Sequence, residues 1–224
     1  MRAPRACRTL VPMRASSRAP AGFSLIEILV VISIIGLLMG LSAFAIGKYR
    51  ETGRISDCKS RIQNLALRCE SYAERQGDFP PSRLVEVGVK DASNEVNQGI
   101  EALVAALRDE RYAGLRPDER TLGNSDDDSS GMLRALDGTS ALLEVLDPWD
   151  NPFVYIVQSD YERSFVVRLS DGSLAEDVEA RAATNELTGA FHHFESYQIL
   201  SAGPDGLLDT EDDLANYEIS RLGP

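Results

Sequence analysis

The sequence predicts an α+β protein: one long N-terminal helix packed on a small antiparallel β-sheet. Three observations carry this. Ile28–Gly47 runs for twenty residues without a charge (ILVVISIIGLLMGLSAFAIG). Beyond it, Ile55, Cys58, Ile62, Leu65, Cys69 and Tyr72 alternate spacings of three and four, the single apolar stripe of an amphipathic helix. Far along the chain, Phe153–Val157, Ser164–Leu169 and Ser196–Leu200 read as short strands for that helix to pack against.

At 224 residues the chain holds one membrane element and one modest globular domain. The formal net charge of −12 is unevenly spread. Residues 1–22 carry Arg2, Arg5, Arg8, Arg14 and Arg18 and no acid, so all 35 acidic residues follow, against 18 of the 23 basic ones. An acidic body argues against nucleic acid as a partner, because phosphate binding needs clustered Lys and Arg. It suits divalent cations and an extracytoplasmic setting. Cys58 and Cys69 lie three helical turns apart, roughly 16 Å, too far for a disulfide within one helix. They read as small core residues, with Cys7 in the leader.

The uncharged run is about 30 Å long as a helix, the thickness of a bilayer's hydrocarbon core. Arginines before it place that end in the cytoplasm and the acidic bulk outside, although Lys48 and Arg50 dilute the signal. A cleaved secretory signal would have a shorter apolar stretch closed by a small-residue cleavage site. An ordinary anchor helix fits the length but leaves Glu27 unexplained. That acid sits at the run's cytoplasmic edge among Phe23, Leu25, Ile26, Ile28 and Leu29. A carboxylate at membrane depth costs a few kcal/mol and is retained for a partner.

Ala21-Gly22-Phe23-Ser24-Leu25-Ile26-Glu27, followed by ILVVISIIGLL, resembles the prepilin signature of type IV pilins and type II secretion pseudopilins. The resemblance implies a leader peptide over 1–22, cleavage between Gly22 and Phe23 by a prepilin peptidase, and N-methylation of Phe23. It makes 23–47 the transmembrane and assembly helix, where Glu27 attracts the freed amine of a neighbouring subunit. Opposite charges in a low dielectric relieve each other's desolvation. It also implies a pilin-like fold, with 48–224 as a periplasmic head.

Within the head, the helix over 48–77 should stop near Gly77, before Asp78-Phe79-Pro80-Pro81. Residues 78–146 form a helical and loop insertion, of which 84–146 is longer than a minimal major pseudopilin needs. In it Asn97–Arg108 and Met132–Leu146 read as helices, and Gly123–Gly131 (GNSDDDSSG) as a solvated acidic loop. Residues 147–224 hold the sheet and a metal loop. Asp147–Tyr155 (DPWDNPFVY) resembles the DPWGNPY segment of major pseudopilins, with Asp150 where glycine is usual.

Near the C-terminus, Gly203, Pro204 and Gly206 force a tight loop, and Asp205, Asp209, Asp212 and Asp213 can bring charge to a cation. Calcium takes six to eight oxygens from carboxylates and carbonyls, and the spacing is not an EF-hand's. The stretch is similar to the calcium loop of major pseudopilins. That likeness assigns Ca²⁺ to Asp205 with one or both of Asp212 and Asp213, and to the carbonyls of Leu200 and Leu208. Asp209 stands where the family often has glycine. His192 and His193 are adjacent, so in a strand they would face opposite ways and could not chelate together.

No phosphate-cradling glycine loop, zinc spacing or nucleophile elbow stands out, so the reading is structural rather than enzymatic. The expected protein is a single-pass subunit of the bacterial inner membrane with a periplasmic C-terminal domain. It polymerises into a periplasmic type II secretion pseudopilus with minor pseudopilins and the inner-membrane secretion apparatus, to drive protein export. Two readings remain beside it: a type IV pilin or minor pseudopilin, and a membrane-tethered periplasmic enzyme or binding protein.

Overall fold

The computed structural model describes residues 22–109, 114–133 and 140–218, the side chains of 41–48 excepted. The leader arginines, Cys7 and residues 134–139 of the helix expected over Met132–Leu146 lie outside the described residues. The chain divides into two compact units, Met1–Gly47 and Lys48–Pro224.

Helix α1 runs Leu25–Gln76. In the first unit every described side chain from Gly22 to Gly40 is exposed. Ser33, inside the apolar run, returns its hydroxyl to the Leu29 carbonyl at 2.8 Å, which satisfies it without water. Among the described residues no helix is long and apolar enough to cross a membrane, and the described side chains of the uncharged run stop at Gly40.

In the second unit α1 is one-faced. Cys58, Ile62, Leu65 and Cys69 are all at most 3% exposed, with Ile55 and Tyr72 half-buried at the ends of the stripe. Both cysteines are free thiols, and burial pushes that of Cys58 up to about 12. Gly77 ends the helix at φ 85, a left-handed cap that glycine takes without strain.

The stripe packs on strands β3 (Val154–Val157) and β6 (Tyr197–Ser201), which pair antiparallel with Val154 opposite Leu200 and Val157 opposite Tyr197. Phe153, Tyr155, Val157, Tyr197 and Ile199 face α1. Val154 and Ile156 face the other way, onto Phe165, Val167 and Leu169 of β4 (Ser164–Ser170). A strand covered on both faces reads as an unbroken apolar run, which is what Phe153–Val157 is. The hydroxyl of Tyr155 donates to the Pro80 carbonyl at 2.6 Å, and that of Tyr197 to the Ala66 carbonyl of α1 at 3.1 Å.

Helix α2 (Gln98–Arg108) adds Ile100, Leu103, Val104 and Leu107 to the same core. Short strands β1 (Leu122–Gly123) and β2 (Glu144–Val145) pair beside it, β5 (Ala175–Arg181) pairs with β4, and β7 (Leu214–Ala215) with β6. The antiparallel pairing expected of the head is present, divided among three small sheets.

Two local expectations are corrected, over Met132–Leu146 and Gly123–Gly131, and two features that the sequence left open are added. Strand β5 (AEDVEAR) has only Ala180 buried, so no apolar alternation marks it. Its signal is the Asp171-Gly172 hairpin turn, where Asp171 Oδ1 accepts from the Ser173 amide at 2.7 Å. The helix read over Met132–Leu146 gives way at its end to β2, whose Val145 pairs with Leu122: tertiary pairing overrides a weak helical preference. Gly123–Gly131 is not a solvated loop, because Asp126, Asp128 and Ser130 turn inward at 7%, 1% and 1% exposure. His192 and His193 sit in a turn rather than a strand, and both approach the Tyr217 ring, with centroids 4.5 and 6.1 Å away.

Gly99 lies where α2 crosses β3, and a Cβ there would stand 2.2 Å from the Tyr155 carbonyl oxygen. Gly99→Ala gains up to about 1 kcal/mol of helix propensity. It also drives a methyl into backbone, where overpacking costs about 1–3 kcal/mol. The net effect is a lower urea midpoint than wild type; a higher one would mean that α2 and β3 are not in contact at Gly99.

Candidate functional site

At the N-terminal end, Gly22, Phe23 and Ser24 precede α1 in irregular backbone, with Phe23 81% exposed. Ser24 and Glu27 form a reciprocal pair. The Ser24 amide donates to Glu27 Oε2 at 2.8 Å, and the Glu27 amide donates to Ser24 Oγ at 3.3 Å. This capping box satisfies two amides at the start of the helix. The Ser-x-x-Glu spacing signals it in the sequence, yet reading Glu27 only as an acid in search of a distant partner misses it. The carboxylate has a local use as well as its charge.

At the other end of the chain, the DPW turn and the aspartate loop are joined by buried hydrogen bonds. Asp147 Oδ1 accepts from the Trp149 amide at 2.8 Å and the Asn151 amide at 3.0 Å. Its Oδ2 accepts from Ser201 Oγ at 2.6 Å, and Ser201 Oγ accepts in turn from the Gly203 amide at 3.2 Å. Burial pushes the Asp147 carboxyl up, opposed by these donors. Asn151 holds the end of β4, accepting from the Ser170 amide at 2.7 Å and donating to its carbonyl at 3.0 Å. Trp149 Nε1 donates to Glu51 Oε1 of α1 at 3.1 Å. None of these pinning roles was legible in the sequence beyond the residues' nearness to prolines.

In the loop itself, the Asp205 amide donates to Asp212 Oδ2 at 3.1 Å, and the Thr210 amide to Asp213 Oδ2 at 3.1 Å. Asp205 and Asp212 are thus brought together, and Asp213 is buried beside them. Asp209 is exposed at φ 63. Leu200 sits in β6 opposite Val154, and Leu208 packs against the second core. Gly203 (φ 66) lies so close that a Cβ would stand 2.3 Å from the Asp212 carbonyl, and a Cβ on Gly206 would stand 2.2 Å from that of Ser170. Both glycines are required by that approach.

Residues 17–43 match the prokaryotic N-terminal methylation motif. Beyond the motif it is similar to the type II secretion system core protein G of Escherichia coli (strain K12). The two are 26% identical over 209 residues, 93% of this chain and 98% of that one. No solved structure matches the chain.

The two aspartates that stand where the pseudopilin pattern has glycine share one property. Asp150 has φ 68 and Asp209 φ 63, the left-handed region in which glycine is at ease and Asp is tolerated. Asp150→Ala should lower the urea midpoint by the equivalent of about 1 kcal/mol, whereas Asp150→Gly should hold or raise it. Equal losses in both variants would show that the Asp150 side chain, not its backbone, matters.

Proposed function

We propose that this chain is a structural subunit of a type II secretion pseudopilus, made as a precursor, cut between Gly22 and Phe23, and polymerised through its N-terminal helix. The observation that carries the reading is the methylation motif at 17–43 on a chain similar to core protein G along nearly its whole length. The exposed apolar surface from Phe23 to Met39 supports it. Such a surface needs a cover, here lipid before assembly and the helices of other copies after it. The chain is held to the inner membrane by 23–47 with its head in the periplasm, and its partners are prepilin peptidase, minor pseudopilins and the secretion apparatus.

Glu27 serves assembly by meeting the freed Phe23 amine of the next subunit. The substitution Glu27→Gln separates this role from capping, since Gln at the third helical position also closes a capping box but carries no charge. Glu27→Gln should leave processing intact and abolish filaments seen by electron microscopy after overexpression. Filaments of normal yield in that variant would refute the role of the charge. Mass spectrometry of the membrane-extracted protein should find a mature chain beginning at N-methylated Phe23.

The C-terminal loop is fitted to calcium by its donor set, which is oxygen throughout. Asp205, Asp212 and Asp213 would supply carboxylates and Leu200 and Leu208 carbonyls, with Asp209 serving the turn. Bound calcium supplies charge compensation, and the chain's own contribution is the Asp147–Ser201–Gly203 connection that presents the loop. Asp212→Asn should reduce the rise in melting temperature that calcium gives; an undiminished rise would remove calcium from this loop.

A further inference from the structure

The run Gly123–Gly131 turns two of its aspartates into the head, and they meet two glutamates there. Glu101 of α2 is 1% exposed, Asp126 7%, Asp128 1% and Glu144 of β2 0%. Ligand oxygens of Glu101, Asp126 and Glu144 all lie within 4.8 Å of one another, and Asp128 adjoins Glu101. Four carboxylates have thus been taken out of water in one place.

The donors available are few and uncharged. Glu144 Oε1 accepts from Asn97 Nδ2 at 2.8 Å, and both its oxygens accept from the Ser125 amide at 3.1 Å. Both carboxylate oxygens of Glu101, of Asp126 and of Asp128 are buried with no hydrogen-bond partner. The nearby Arg168 gives them no hydrogen bond: its guanidinium pairs with Asp177 at 2.7 and 2.9 Å and reaches Asp126 only through space. A buried carboxylate without donors or a counter-charge costs several kcal/mol, so this arrangement needs either protons or a cation.

We propose that Glu101, Asp126, Asp128 and Glu144 bind a calcium ion inside the head, at a site separate from the C-terminal aspartate loop. The ligands are all hard oxygens, with no thiolate or imidazole among them, which excludes a zinc-type set. Calcium–oxygen distances of about 2.3–2.6 Å let one ion touch oxygens roughly 4.8 Å apart. A dry cage of protein carboxylates suits calcium better than magnesium, which keeps its waters and demands a smaller octahedron. The ion joins α2, the 124–128 segment and β2, which already meet through Asn97, Ser125 and Glu144. Burial, reinforced by Asp128, Asp126 and Glu144, pushes the Glu101 carboxyl up to about 10, as expected where a compensating charge is missing.

The test uses the full-length protein in detergent, stripped with chelator and melted with and without millimolar CaCl₂ or MgCl₂. The variant Asp212→Asn is the background, so that the C-terminal loop does not contribute. Calcium, and not magnesium, should raise the midpoint by about 5–10 °C. The rise should vanish on adding Glu101→Gln, or Asp128→Asn as a second variant should the first fail to fold. Glu101→Gln without calcium should melt no lower than its background, because it removes a buried charge rather than a ligated one. No rise in the Asp212→Asn background would overturn this site while leaving the C-terminal one standing. So would a rise that survives both cluster substitutions, or one that magnesium reproduces. Loss of the whole calcium response on Glu101→Gln alone would instead support this site and remove calcium from the C-terminal loop.

Discussion

The head depends on a stripe of four buried residues. Cys58, Ile62, Leu65 and Cys69 give α1 the only face it needs to be buried, and the aromatic side of the β3–β6 pair is shaped to that face. Tyr155 and Tyr197 fill the space with rings and spend their hydroxyls on the carbonyls of Pro80 and Ala66. At the far end of the stripe the small thiol of Cys69 lies beside Tyr155, where a larger residue would hold the ring off. Because one helix supplies both this stripe and the bare apolar surface from Phe23 to Met39, its composition must change character near Gly47 without breaking helical period.

At the start of that helix one carboxylate meets a local demand besides the assembly role proposed for it. The orphan amides of a first turn need an acceptor wherever the helix lies, and in an apolar setting water cannot be that acceptor. Glu27 meets this need through the Ser24 amide. A charge used in this way is already partly satisfied, so an incoming amine has less to gain from it than an isolated buried acid would offer. The proposed charge pairing therefore has to compete with a hydrogen bond already made within the helix.

The parts of the fold that were legible in the sequence are those where periodicity and burial coincide. The α1 stripe, the α2 helix and strands β3, β4 and β6 all carry apolar residues at the spacing of their own element. What was not legible was structure held by polar residues. Strand β5 is a strand because β4 is beside it and Asp171-Gly172 turns the chain, not because its acidic sequence prefers to be extended. Asp147 looks like a turn residue before proline, and only the fold brings Ser201 to it from 54 positions away. Asp150 and Asp209 were visible as departures from a glycine pattern, and the backbone explains why glycine suits those positions.

Acidic residues show most clearly why composition misleads. Residues 205–213 and 124–128 are both short, aspartate-rich and flanked by turn formers, and read alike on paper. In the first, backbone amides of Asp205 and Thr210 point at the carboxylates of Asp212 and Asp213, so the loop supplies donors of its own and can keep its shape near solvent. In the second, alternate aspartates are driven inward by the pairing of the chain on either side, toward glutamates from α2 and β2 and away from donors. The distinction lies in what surrounds each carboxylate. Burial without donors shifts the burden of compensation to something the side chains do not contain, and three such acids in one interior, Glu101, Asp126 and Asp128, carry a steady energetic cost.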